Sequence, residues 1–296
     1  MTSAPSPALA PRAATLIGLG AIALWSSLAL LVVLAGAIPP FELAALTFAI
    51  GGGLGFAYVA ARDRLAALRQ PWRVWAVGVG GLFGYHALYF AALSLAPPAE
   101  ASLVNYLWPL LIVLLSGLLP GEGLRARHVI GAVLGFAGAA SLFAGRAADA
   151  AGRPLTRGVV VGYALALAAA FVWSSYSVLS RRLKGAPTEA VAGFCIATAA
   201  LATLCHYLFE TTVAPAGAPQ WAAIACLGVG PLGLAFFVWD YGVKHGDIRL
   251  LGIAAYATPV LSTLILIAGG VAEATASLGL ACALIVGGAV VATRRS

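Results

Sequence analysis

Tyr85, His86 and Tyr89 fall within an arc of about 100° when their segment is wound at 3.6 residues per turn. Each carries a hydrogen-bonding tip on a ring. Asn105, Tyr106 and Trp108 make a second such group, and Trp25 and Trp173 are each followed by two serines. Ring–ring contacts contribute about 0.5–1.5 kcal/mol each beyond the area they bury. A cavity walled by Tyr, Trp, His and Asn therefore suits a ligand with an aromatic or bulky apolar part and a small polar head, held loosely enough to be released. Reaction chemistry is not indicated. His86 has neither a nucleophile nor a metal-ligand partner at useful spacing. Cys195, Cys205, Cys226 and Cys282 form no C-x-x-C and no metal-ligand pattern, and read as apolar packing residues with free thiols. No catalytic residue, cofactor or metal is assigned.

Ionisable groups inside a bilayer are costly and mark functional sites. Glu42, Glu100, Glu122, Glu210 and Glu273 lie near the ends of apolar stretches, where water is expected to reach them. Asp240 sits beside the turn Lys244-His245-Gly246-Asp247 and is likewise expected to be solvated. Only His86 reads as properly intramembrane. Without a mid-span acid, downhill facilitation is the simplest energetics, and His86 keeps proton linkage open, since an unperturbed histidine titrates near 6.5.

The elements that must position these residues follow from composition. Of 296 residues, 62% are hydrophobic and 9% charged, with 35 glycines, against about 45–50% apolar and about 25% charged in a soluble domain. The excess apolar surface must face lipid. Disordered, collagen-like and disulfide-scaffold classes are excluded by the same figures. About 20 apolar residues span a bilayer core of about 30 Å as helix. Ten such stretches occur, near 14–36, 40–61, 72–95, 99–119, 127–145, 157–180, 187–209, 219–241, 248–269 and 275–293. Short connections carry turn residues, as in Ile38-Pro39-Pro40 and Ala96-Pro97-Pro98. Trp72, Trp75 and Trp221 lie at stretch ends and read as interfacial anchors. The pairs Gly51/Gly55, Gly80/Gly84, Gly131/Gly135 and Gly158/Gly162 have the spacing that lets helices pack closely.

Threading ten spans from a cytoplasmic N-terminus places fourteen of the 17 Lys and Arg on one side. Only Arg146, Arg153 and Arg157 fall on the other. That bias puts both termini in the cytoplasm, and it accounts for the net charge of +7 without a nucleic-acid partner.

The chain also repeats itself. Trp25-Ser26-Ser27 recurs as Trp173-Ser174-Ser175, and the segment ending in Pro109 recurs as Tyr256-Ala257-Thr258-Pro259. Glu122 and Glu273, then Gly138 and Gly288, follow the two prolines in the same order. Two homologous halves of five spans result, 1–147 and 148–296. Five is odd, so the second half must enter the membrane from the opposite side. Inverted repeats of this kind place a site near the midplane and expose it alternately to each side. Pro109 and Pro259 each remove a backbone donor and mark hinges or kinks. The expected fold is an all-α integral membrane protein of ten transmembrane helices, arranged as two inverted-topology five-helix repeats.

With these residues in place, the chain resembles the EamA-type branch of the drug/metabolite transporter superfamily. Ten spans, two halves, and in each half a proline, an apolar stretch and a glutamate (Pro109 to Glu122, Pro259 to Glu273) carry the likeness. Asn105-Tyr106-Leu107-Trp108-Pro109 with Trp25-Ser26-Ser27 is similar to the aromatic amino-acid exporter subgroup. The resemblance implies a bacterial inner-membrane carrier exporting aromatic or other neutral amino acids, with its cavity lined by Tyr85, His86, Tyr89, Tyr106, Trp108 and Trp173; Asn105, beside Tyr106, completes the expected substrate-binding set. An amino acid and the lipid bilayer are the implied partners, and a monomer is the expected working unit. Other small metabolites or drugs are the alternative cargo. An intramembrane enzyme is the distant alternative, since it would need two polar catalytic groups at one depth and only His86 is available.

Overall fold

The structure is a computed structural model and describes residues 10–121, 123–150, 156–270 and 276–293. Glu122, Glu273, Arg153, Arg294 and Arg295 lie outside them, as does the side chain of Arg146. Among the described residues the chain is helical, with no strand. It forms ten rods: α1 (Pro11–Ala35), α2 (Pro40–Ala61), α3 (Trp72–Leu95), α4 in two pieces (Pro98–Asn105 and Trp108–Ser116), α5 (Ala126–Ala150), α6 (Arg157–Arg182), α7 (Ala190–Phe209), α8 (Ala218–His245), α9 (Ile248–Ala268) and α10 (Ala276–Thr293). Seven of these are long and apolar enough to cross a membrane, and Glu100–Ser116 and Leu278–Ala292 are shorter apolar helices. Outward faces carry large apolar side chains in the open, such as Leu118 at 68% and Phe209 at 75% exposure, as lipid requires.

Prolines set the rod starts. Pro11, Pro40 and Pro98 occupy the first turn, where the missing N–H would have lacked a partner anyway. Interruptions within rods are as informative. α4 is broken at Tyr106-Leu107 and α9 at Ala255-Tyr256. In α8 the run Gly230–Leu234 forms a π-turn.

Each of α1 to α5 packs most extensively on one of α6 to α10: α1 on α8, α2 on α7, α3 and α4 on α6, and α5 on α10. Glycine permits several of these approaches. A Cβ on Gly131 would sit 2.6 Å from the Gly288 carbonyl of α10, and one on Gly51 2.6 Å from Gly233 Cα of α8. Gly80 has nothing within 4 Å, so the pair Gly80/Gly84 does not make the close packing its spacing suggests. Trp75 also departs from expectation. Trp72 and Trp221 are exposed, but the Trp75 ring meets Phe194 edge-on at 5.4 Å inside the α3–α7 contact, and packs rather than anchors.

Polar ties close the two ends of the rods. At one end Arg181 donates to the carbonyls of Val243, Lys244 and Gly246. Asp240, expected to be solvated, is 1% exposed there. Its carboxylate takes Lys244 Nζ at 2.7 Å and the Thr188 hydroxyl at 2.7 Å, and Lys244 also donates to the Ala186 carbonyl. A buried charge is tolerable when paired and hydrogen-bonded in this way. At the other end Glu42 and Glu210 are not free in water either. Glu210 accepts from the N–H groups of Phe41 and Glu42 at the start of α2, and Glu42 accepts from Val213 N–H. His206 lies between them, 3.0 Å from Glu210.

Candidate functional site: an aromatic cavity between six rods

A cavity of about 190 Å³ opens where the interruptions of α4, α8 and α9 meet the rods α1, α3 and α6. Ligand pockets for drug-sized molecules run to about 300–1,000 Å³, so this one suits a small metabolite. Its walls come from those six rods alone. Three of the rods (α1, α3 and α4) are the first, third and fourth in the chain, and the other three (α6, α8 and α9) are the sixth, eighth and ninth, the places that the repeat expected from the sequence pairs with them.

All seven residues named from the sequence lie in this wall. Tyr85, His86 and Tyr89 come from α3, Asn105, Tyr106 and Trp108 from the interruption of α4, and Trp173 from α6. One helical face brings the first three together, and Tyr85 and Tyr89 stack at 5.8 Å. Asn105 Nδ2 donates to Tyr85 Oη at 3.0 Å, linking α4 to α3, and Tyr89 shares a hydrogen bond with Ser102. His86 Nδ1 lies 2.7 Å from the Leu82 carbonyl. A carbonyl can only accept, so Nδ1 carries the proton of this hydrogen bond.

Four tryptophans pack together here, three of them (Trp25, Trp108 and Trp173) in the cavity wall and Trp239 fully buried against them. Trp25, Trp108, Trp173 and Trp239 all lie within 5.1–6.3 Å of one another, centroid to centroid. Indole N–H groups need partners when buried, and two of the four are met by neighbouring rods. Trp25 Nε1 donates to the Pro231 carbonyl in the π-turn, and Trp239 Nε1 to Ser177 Oγ. Ser174 donates to the Trp108 carbonyl at 3.1 Å, which fastens the start of the second piece of α4 to α6.

Reasoning from sequence missed five lining residues: Trp25, Leu28, Leu232, Phe236 and Thr258. Two carried a readable signal. Trp25 is the repeat partner of Trp173, and Thr258 stands before Pro259 as Trp108 stands before Pro109. Leu232 and Phe236 depend on the π-turn, which no residue pattern announces. Pro109 and Pro259 sit in the first turn after each interruption. Neither can donate to the carbonyl four residues back, so the chain is free to bend there. Among the described residues no group of His, Cys, Asp and Glu could hold a metal.

Residues 12–144 and again residues 160–294 match the EamA-like transporter family. The chain belongs to that family. It is therefore a multi-pass membrane transporter, and the enzyme alternative falls away. Among its relatives, a protein of Ancylobacter novellus named aromatic amino acid exporter YddG is 59% identical over 95% of this chain and 96% of its own length. The exporters of the same name from Salmonella typhimurium and Escherichia coli are 29% and 27% identical over 84% of this chain and 86% of theirs. A solved crystal structure 57% identical superposes with a TM-score of 0.90, covering 96% of this chain and 98% of that one.

Proposed function

We propose that this transporter exports aromatic, and with them other neutral, amino acids across a bacterial inner membrane by alternating access around the six-rod cavity. The observation that carries the reading is the wall itself. It offers aromatic rings on several sides, together with hydroxyl, amide and imidazole tips, and no carboxylate, lysine or arginine. Such a lining favours a planar side chain on an overall neutral molecule. The names of the relatives point to the same cargo. Trp108 and Trp173, with Tyr85 and Tyr89, take the side chain; Asn105, Tyr106 and His86 take the polar head or shape the wall around it. Pro109 and Pro259 let the interrupted rods flex as the halves rock.

The full arrangement belongs to the same reading. All ten rods span the bilayer, residues 1–147 and 148–296 form inverted halves, both termini lie in the cytoplasm, and one chain suffices for transport. The contacts of α1–α5 with α6–α10 support this, because exchanging the two halves leaves the pattern of partners unchanged. Proteoliposomes containing the purified protein are expected to take up labelled L-phenylalanine, L-tyrosine and L-tryptophan. Trp108→Ala is expected to lower that uptake at least about tenfold, the equivalent of about 1.4 kcal/mol. Uptake of none of the three, or an unchanged rate in Trp108→Ala, overturns the assignment.

A further inference from the structure

Serine and threonine inside these rods nearly always return their hydroxyl to a carbonyl three or four residues back, the usual solution in a helix. Thr15, Ser26, Thr47, Ser116, Ser174, Ser177 and Thr263 all do so. Thr258 does not. It is the second residue after the interruption of α9, so the carbonyl four residues back, on Ala254, lies on the far side of the bend. Its Oγ1 is buried with no hydrogen-bond partner in the protein, and the residue lines the cavity. Asn105 presents the same situation across from it, at the interruption of α4. Its Nδ2 donates to Tyr85 Oη, while Oδ1 is buried and unpartnered. Thr198 is also unpartnered, but it lies on α7, outside the cavity wall.

An amino acid entering a wall without charged side chains must give up water around both its α-ammonium and its α-carboxylate. That desolvation is costly unless each finds a hydrogen bond. The two orphaned atoms differ in what they offer. An amide oxygen can only accept, and a threonine hydroxyl has a proton to donate.

We propose that Asn105 and Thr258 read the two ends of the substrate's backbone, Asn105 Oδ1 accepting from the α-ammonium and Thr258 Oγ1–H donating to the α-carboxylate. This makes Thr258 a specificity-determining residue contributed by the second half. It rests on the cavity being an amino-acid site, and the test separates the two ideas. Proteoliposomes take up labelled L-phenylalanine in the presence of unlabelled L-phenylalanine, 2-phenylethylamine (which lacks the carboxylate) or 3-phenylpropionate (which lacks the ammonium). Thr258→Val, nearly isosteric, is expected to weaken inhibition by L-phenylalanine and 3-phenylpropionate about tenfold while leaving 2-phenylethylamine unchanged. Thr258→Ser is expected to restore the wild-type order. Asn105→Leu is expected to give the mirror result, weakening L-phenylalanine and 2-phenylethylamine and sparing 3-phenylpropionate. A Thr258→Val protein that weakens all three compounds alike, or none, overturns the pairing while the function stands. Wild-type liposomes that take up no L-phenylalanine overturn both.

Discussion

α4 and α9 are interrupted at equivalent places, yet the two interruptions do different work. In α4 the run Asn105-Tyr106-Leu107-Trp108-Pro109 places an amide, a phenol and an indole in the cavity wall. In α9 the run Ala255-Tyr256-Ala257-Thr258-Pro259 places only Thr258 there. Tyr256, the counterpart of Tyr106, is fully buried and turned into the protein, against Phe136. Its hydroxyl accepts from the Leu110 N–H at 3.1 Å. That N–H lies in the first turn of the second piece of α4, where the interruption has removed its acceptor. The first interruption supplies three residues of the cavity wall, and the second supplies Thr258 and braces the first. The two bends match in place, yet the larger share of the wall falls to the first and the bracing contact to the second.

That division has consequences that can be broken experimentally. Making the first interruption resemble the second, with Trp108→Thr, removes the ring that touches Trp25, Trp173 and Trp239. Truncating a buried tryptophan costs about 3–5 kcal/mol where the site cannot collapse. Uptake of labelled L-tryptophan in liposomes is expected to fall at least about tenfold, as with Trp108→Ala, and the unfolding midpoint to fall with it. The support role is exposed by Tyr256→Phe, which leaves the Leu110 N–H unsatisfied inside the protein. An orphaned buried donor costs about 1–3 kcal/mol, so thermal unfolding in detergent should show a lower midpoint. The apparent KM for L-phenylalanine is expected to move far less. Tyr106→Phe should give the opposite balance, with the KM rising while the unfolding midpoint stays near wild type. The smallest effect is expected from Ser174→Ala, which releases the Trp108 carbonyl from α6. A net loss of about 1 kcal/mol, read as a modest drop in midpoint with transport retained, would place that bond on the support side as well.

Much of this arrangement was legible in the residues. The ten apolar stretches coincide with the ten rods to within a few positions, because the length of an apolar run is set by bilayer thickness rather than by tertiary detail. The seven cavity residues were legible for a related reason, since aromatic rings with polar tips stand out in a lipid-facing composition and share helical faces. Partnership at a distance was not legible. Asp240 looked solvated beside a charged turn, and its burial depends on Thr188 and on Lys244 reaching the Ala186 carbonyl, which only folding brings together. Trp75 looked like an anchor because position along the chain does not reveal that Phe194 faces it. Trp239, fully buried in the tryptophan cluster, had no repeat partner to draw attention to it.

The π-turn at Gly230–Leu234 bears on how α8 tolerates changes in length. A π-turn holds one residue more than an α-helix needs for the same path, so the segments before and after it keep the facing they would have without the extra residue. Deleting one residue between 230 and 234 would leave Phe236 and Trp239 aimed as they are, and would cost chiefly the carbonyl that Trp25 uses. Deleting one residue anywhere else in the rod would swing one end against the other by about 100°. Most of α8 is thus closed to insertion and deletion, and this turn is the place in the rod where the chain could lose a residue without losing register.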